Sequence, residues 1–127
     1  MQKAIFNIQN ETDFERCALQ VFKHQFENNK VYRSFCDLLY IHPSDVKDVS
    51  QLPFLPIQFF KTHQVLSTNQ SVQETFSSSG TTGTHTSKHL VADLSWYETS
   101  YTRAFEHFYG SVEDYTVLGL LPNYLER

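Results

Sequence analysis

The sequence predicts an α/β fold, and the pattern of apolar residues at each end of the chain supports this class. Over residues 1–43, apolar side chains recur at spacings of three and four, which indicates helices. A near-continuous apolar run at 115–121 is typical of a strand buried on both faces of a parallel sheet. We therefore divide the chain into a helical part at 1–43, a proline-rich loop at 44–62, and a glycine-containing loop with an α/β unit at 63–127.

Length and composition restrict the classes of protein to which the chain can belong. Its 127 residues correspond to one domain or a fragment of one, and eleven Phe and seven Tyr can fill one core. A net charge of −4 argues against a nucleic-acid partner. The chain lacks both a run of roughly 20 apolar residues and a signal peptide, so we expect a cytoplasmic protein without a transmembrane segment. Cys17 and Cys36 lie on apolar helical stripes, which predicts buried, reduced thiols.

Two helices are predicted in the first part. Thr12-Asp-Phe-Glu15 has the pattern of a capping box, so the first helix is expected to begin there and to end at Asn28-Asn29. A second helix follows from Val31 and stops before His42-Pro43, because the residue before a proline disfavours helical angles. We expect the two helices to pair as an antiparallel hairpin.

The middle of the chain predicts extended segments. Leu52-Pro-Phe-Leu-Pro-Ile57 is forced into an extended path because each proline fixes φ and lacks an N–H donor. For residues 57–62 the pattern allows either a helical turn or a strand. Residues 63–76 alternate around a turn-like Ser67-Thr-Asn-Gln-Ser71, which predicts a β-hairpin.

The last part predicts a strand, a helix and a second strand. His89–Val91 is the first strand, and Asp93 is placed to cap a helix that ends at Gly110. With the strand at 115–121 this makes a βαβ unit, whose parallel sheet needs further strands. The chain is therefore expected to be an incomplete portion of a larger α/β protein, or to complete its sheet by self-association; a self-sufficient small α+β domain is the alternative.

Residues 77–88 form the segment whose composition indicates chemistry. They contain two glycines, eight hydroxyl side chains and one lysine. Glycines let backbone N–H groups point into one concavity, and hydroxyls and a lysine add donors and charge that suit phosphate oxygens. The spacing is not that of a Walker A motif, because Lys88 lies five residues beyond Gly83. A phosphate-binding loop is predicted, with a flexible polar linker as the alternative.

Three stretches resemble known enzymes. Ser78–Gly83 resembles the phosphate-loop signature of the acyl-adenylate-forming synthetases, which make acyl-AMP from ATP and a carboxylate. Leu52–Ile57 followed by Phe60-Lys61, and Ser87–Asp93 with Tyr97 beyond, resemble the acyl-protein synthetase branch, which includes the fatty-acid-activating component of bacterial luminescence systems. The resemblance runs from about residue 10 to the end, roughly the first third of a typical family member.

The resemblance implies a fold, a nucleotide and a set of site residues. The fold would be the N-terminal portion of an adenylate-forming domain, with ATP and Mg²⁺ as the cofactor. The nucleotide-binding residues implied are Ser78, Ser79, Gly80, Thr81, Thr82, Gly83 and Lys88. Lys88 would neutralise the leaving pyrophosphate, although it stands further from the loop than in the common form of the motif and can instead simply open the next strand.

The resemblance also implies partners. These are a carboxylic, typically fatty, acid and an acceptor that is either a protein cysteine or coenzyme A. The family's adenine-binding and magnesium-binding motifs and its catalytic lysine would lie after residue 127, so we assign no catalytic residue and expect the chain alone to be inactive. No metal site is assigned, because no histidine stands with a second histidine or acid at a convincing ligand spacing. The alternative is a non-catalytic fragment or a split-enzyme module that offers a phosphate-binding or partner-binding surface.

Overall fold

The computed structural model describes residues 2–78 and 86–120, in two compact units divided after Leu94. The helices are α1 (Gln2–Ile5), α2 (Glu11–Asn28), α3 (Lys30–Leu38), α4 (Phe59–Thr62) and α5 (Leu94–Tyr109). The strands are β1 (Glu74–Ser77) and β2 (Lys88–Val91), which form a two-stranded antiparallel sheet. The mixed helix and strand content agrees with the predicted class at a coarse level.

The start of α2 differs from the prediction. Asn10, not Thr12, is the N-cap: its side-chain oxygen accepts from the backbone N–H of Asp13 at 2.9 Å. Asn caps a helix at least as well as Thr, and here the Asn10 amide also donates to the Asp13 carboxylate at 3.1 Å. The predicted capping box at 12–15 is therefore wrong, and those residues lie within the first turn. The predicted end of the helix at Asn28-Asn29 is confirmed.

Helices α2 and α3 pack on each other and enclose the core of the first unit. The buried members of that core are Phe22, Phe26, Cys36 and Val46, of which Cys36 is fully buried. The ring of Phe22 meets the ring of Tyr32 edge-on at 6.1 Å between centroids. The Tyr32 hydroxyl donates to the backbone oxygen of Pro53 at 2.6 Å, which ties the proline-rich loop to α3. The predicted pairing of the two helices is thus confirmed.

The end of α3 also agrees with the prediction. Tyr40 adopts a left-handed backbone angle, φ +57°. The N–H of Ile41 then donates to the backbone oxygen of Cys36 at 3.0 Å, which satisfies one of the carbonyl groups at the helix end. The chain therefore leaves the helix before His42-Pro43.

Asn29 is the joint between α2 and α3 and is the one buried polar residue of the described core. Its N–H donates to the Gln25 carbonyl at 2.8 Å at the end of α2. Its side-chain oxygen accepts from the N–H of Tyr32 at 3.1 Å at the start of α3. Its amide nitrogen donates to Gln25 Oε1 at 3.2 Å and to Ser67 Oγ at 3.3 Å. One side chain therefore caps a helix and holds the segment that approaches β1.

The sheet differs from the predicted hairpin. Of residues 63–76, only the last three form part of a strand, and β1 pairs with β2 across the loop, with Glu74 opposite Val91 and Ser77 opposite Lys88. The hairpin predicted within 63–76 is therefore wrong. The hydroxyl of Ser67 donates to Gln25 of α2 instead, so the turn-like residues are held by the helices. The open choice at 57–62 is resolved as a helical turn, α4.

The second unit contains α5, which begins after Asp93 and stops at Gly110, as predicted. Gly110 has φ +85°, which suits glycine and ends the helix. Beyond it the chain turns back: the Tyr115 hydroxyl donates to the Tyr109 carbonyl at 2.6 Å, and the Tyr115 ring lies edge-on to Phe105 at 5.4 Å.

The buried strand predicted at 115–121 is wrong for the residues that the structure describes, 115–120. They form no strand, and Leu118 and Leu120 are 87% and 101% exposed. A parallel strand needs neighbouring strands, and the described residues of this unit, 95–120, contain none. The described residues therefore form no βαβ unit, and Tyr97, Tyr101 and Phe108 of α5 are also exposed.

Cys17 and Cys36 are buried and unpaired with each other, as predicted. Burial raises the pKa of the Cys36 thiol. Burial likewise raises the pKa of the Tyr32 phenol. Both groups therefore stay protonated in the folded chain at neutral pH.

Asn29→Ala should lower the free energy of unfolding by about 2–4 kcal/mol, because it removes a helix cap and leaves the half-buried partners of the amide without their hydrogen bonds. Chemical denaturation of the purified chain measures this. Asn28→Ala is the matched control: Asn28 is exposed, and its replacement should change stability by less than about 0.5 kcal/mol. Equal effects of the two substitutions would contradict the role of Asn29.

The free energy of unfolding should fall as pH rises above about 9, where an unfolded cysteine ionises. The reason is that the unfolded chain releases the Cys36 proton while the folded chain retains it, which costs up to about 1.4 kcal/mol per pH unit. Tyr32 adds the same trend above pH 10. Denaturation curves between pH 7 and 11 test this. Cys36→Ala should remove the decline between pH 9 and 10, and an unchanged decline would contradict the assignment to Cys36.

Candidate functional site

The candidate site lies at the end of the hairpin where β1 stops and β2 begins. Ser77 and Lys88 are the last pair of the ladder, so both ends of the loop 77–88 meet at one edge of the sheet. All side chains of β1 are exposed, as is Lys88 at the start of β2. The loop therefore joins the two strands at the Ser77–Lys88 end of a short hairpin.

Beyond that pair the chain continues in register through Ser78 and Ser87, which make three mutual hydrogen bonds. The Ser78 N–H donates to the Ser87 carbonyl at 3.1 Å. In return, the Ser87 N–H and the Ser87 hydroxyl both donate to Ser78 Oγ, at 3.1 and 2.9 Å. We call this set the Ser78–Ser87 clasp. It closes the base of the loop.

Of the residues that the resemblance implied, the structure describes Ser78 and Lys88 and brings them to the same end of the hairpin. Lys88 is the first residue of β2, which is the position foreseen in the alternative interpretation of this lysine. The others, Ser79, Gly80, Thr81, Thr82 and Gly83, lie outside the described residues.

Aromatic stacking connects α4 to β2. The ring of Phe60 stacks on His89 with centroids 4.8 Å apart and planes at 23°. Its neighbour Phe59 packs edge-on against Phe35 of α3 at 5.8 Å and stacks on His63 at 4.9 Å. The turn α4 therefore links the helical core to the strand that begins with Lys88.

Sequence reasoning missed two contributors to the site. The sequence presents Ser87 as one of eight hydroxyl residues in the loop, and its place opposite Ser78 depends on a strand register that the sequence does not specify. His89 is predicted only as the first residue of a strand. The adjacent aromatics Phe59 and Phe60 are the feature of the sequence that could have indicated such packing.

The described ranges also bear on metal and membrane. Within residues 2–78 and 86–120, no group of three or more His, Cys, Asp or Glu side chains is arranged to hold a metal ion. In the same ranges, no helix combines the length and the apolar character needed to cross a membrane.

Comparison with known proteins identifies the family. Residues 4–104 match the family model described as Acyl-protein synthetase, LuxE. Neither curated proteins nor solved structures gave a significant match. The matched residues comprise more than half of the 127-residue chain and include the helical core, the hairpin and both ends of the candidate loop. The chain therefore belongs to the LuxE acyl-protein synthetase family.

Proposed function

We propose that this chain is the N-terminal portion of an ATP-dependent acyl-protein synthetase that activates a fatty acid as acyl-AMP, with residues 77–88 binding the phosphates of ATP. The observation that carries the proposal is the Ser78–Ser87 clasp, which closes the base of a glycine- and hydroxyl-rich loop beside an exposed lysine. Membership of an acyl-protein synthetase family supports the acyl substrate. ATP as the activating nucleotide follows from the resemblance of Ser78–Gly83 to the adenylate-forming signature.

The proposed chemistry fits donors held in place by a hairpin. The fatty-acid carboxylate attacks the α-phosphorus of ATP, the bond to the bridging oxygen breaks, and pyrophosphate leaves with increased negative charge. Donors already placed near that charge stabilise the transition state more than the ground state. Lys88 would supply a positive charge and Ser78 a hydroxyl donor. Mg²⁺ would arrive on the nucleotide, since Mg²⁺ in such sites is held largely by phosphates and water.

The acyl acceptor is proposed to be a thiol other than the two in this chain. A thiol must be accessible and ionised to attack an acyl-adenylate. Cys36 is fully buried with a raised pKa, and Cys17 is only 4% exposed. A cysteine of another protein fits the family description, and coenzyme A is the second option.

Lys88→Ala should lower kcat/KM for MgATP by about 10- to 100-fold. The reason is that the substitution removes a positive charge that stabilises the negative charge of the departing pyrophosphate. The measurement is fatty-acid-dependent exchange of labelled pyrophosphate into ATP, with the longest natural protein that carries this chain. Gly80→Ala should also lower the exchange. Lys47→Ala is the matched control, since Lys47 is an exposed lysine outside the loop and outside α4. Equal activity of the Lys88 and Lys47 variants would contradict the proposal.

A second proposal is that the chain works with a partner that covers its exposed apolar segment 115–120, either another copy or a separate chain of a split enzyme. The observation that favours it is the apolar segment 115–120 in the second unit, where Val117, Leu118 and Leu120 are exposed. Exposed apolar runs of this kind favour association. This role is compatible with phosphate binding by the loop.

Sedimentation of the purified 127-residue chain at increasing concentration tests the association. The chain should form dimers or larger species, and Leu118→Asp with Leu120→Asp should shift it towards the monomer, because burying carboxylates in an interface is unfavourable. Thr116→Asp is the matched control on the same segment, at a polar position. A monomer at every concentration would exclude self-association and leave the separate partner chain.

A further inference from the structure

Ser78 carries a hydroxyl whose hydrogen-bonding capacity is mostly used by one neighbour. A serine hydroxyl has one proton to donate and two lone pairs that accept. Ser78 Oγ accepts from the N–H of Ser87 at 3.1 Å and from the hydroxyl of Ser87 at 2.9 Å. Both lone pairs are therefore occupied by donors from a single residue, and the Ser78 hydroxyl is left to act as a donor.

We infer that Ser87 is a positioning residue for the phosphate loop: it fixes the Ser78 hydroxyl in the orientation that donates to a phosphate oxygen of ATP. The inference rests on the proposed function, and it adds a residue that the adenylate-forming resemblance does not assign to the nucleotide.

The polarity of the clasp suits an anion. Phosphate oxygens only accept hydrogen bonds, so a hydroxyl helps to bind them only when its proton points towards them. An unrestrained hydroxyl is also free to rotate and to offer its lone pairs instead. Ser87 removes that freedom before the nucleotide arrives, and such preorganisation improves binding without adding a new contact. Lys88, the residue after Ser87, adds a positive charge at the same end of the hairpin.

The hydrogen bonds of the clasp allow a substitution of Ser87 to distinguish a positioning role from simple support of the hairpin. Two of its three hydrogen bonds use the backbone N–H or carbonyl of Ser87, and these remain when the side chain is shortened. Ser87→Ala removes only the hydroxyl-to-hydroxyl bond at 2.9 Å. Since β1 and β2 keep their ladder, the variant should fold normally and differ mainly in the freedom of the Ser78 hydroxyl.

The test is steady-state adenylation by the longest natural protein that carries this chain, read by pyrophosphate exchange. Ser87→Ala should raise KM for MgATP about three- to tenfold, the equivalent of one ordinary hydrogen bond, with KM for the fatty acid unchanged. Ser87→Thr should restore KM to within about twofold, because threonine keeps a hydroxyl on Cβ and suits a strand. Ser71→Ala is the control, an exposed serine outside the loop that should leave KM unaltered.

A double-substitution cycle gives the second readout. Ser78→Ala should raise KM for MgATP at least as much as Ser87→Ala, and the double variant should be no worse than Ser78→Ala, because Ser87 acts only through Ser78. Melting temperatures of all variants, measured alongside, should lie close together.

The outcomes distinguish this inference from the proposed function. Additive effects in the cycle, or a Ser87→Ala variant that loses melting temperature but keeps its KM, would overturn the positioning role while the loss in Lys88→Ala upholds adenylation. If Ser78→Ala and Lys88→Ala both keep full exchange activity, the proposed function fails, and the positioning role falls with it.

Discussion

The first unit depends on the hydrogen bonds made by the buried residue Asn29. A polar side chain that is 3% exposed must have its hydrogen bonds satisfied within the protein. Asn29 meets this requirement by bonding to α2, to α3 and to Ser67 in the segment that leads to β1. The directional demands of one amide therefore set where α3 starts relative to α2, and they bring a distant part of the chain back to the same corner.

From that corner the position of the loop is set by successive short-range contacts. Ser67 is held at the joint between α2 and α3, and the chain then runs into β1. On the other side, α4 contacts α3 through Phe59 and Phe35, and it contacts β2 through Phe60 and His89. The two strands thus reach the helical core by separate routes. The hairpin that carries the clasp is therefore held to the helical core through β2 and through Ser67 in the segment that precedes β1.

Local patterns predicted the helices well, and distant pairing was the source of the errors. The ends of α2 and α5 were marked by Asn28-Asn29 and Gly110, because caps and glycine stops act within a few residues. The partner of β1 could not be read in the same way. The strand at 74–77 has alternating side chains that suit several neighbours, and its partner at 88–91 lies beyond the loop. The pattern at 115–121 indicated burial, yet burial depends on neighbouring strands that no local pattern supplies.

For the site, the sequence indicated which segment carries the chemistry but not how its ends are held. The hydroxyl and glycine composition of 77–88 pointed to phosphate, and Ser78 and Lys88 stay among the candidates. The contribution of Ser87 became visible only with the strand register, since hydrogen bonds between opposite residues depend on which residues are opposite. The stack of Phe60 on His89 was equally hidden, because it joins residues 29 positions apart.

The clasp has a consequence for variation in loop length. The ends of the loop are held by the ladder and by the Ser78–Ser87 hydrogen bonds. The distance between these ends therefore does not depend on the number of residues in the loop. Closing a longer flexible loop is entropically cheap, about 0.6 kcal/mol for each doubling of its length. Insertions between Gly83 and Ser87 should therefore leave Lys88 beside Ser77. The long stretch between Gly83 and Lys88 is thus compatible with the pairing of Lys88 and Ser77. The length of this stretch can vary without moving either end of the loop.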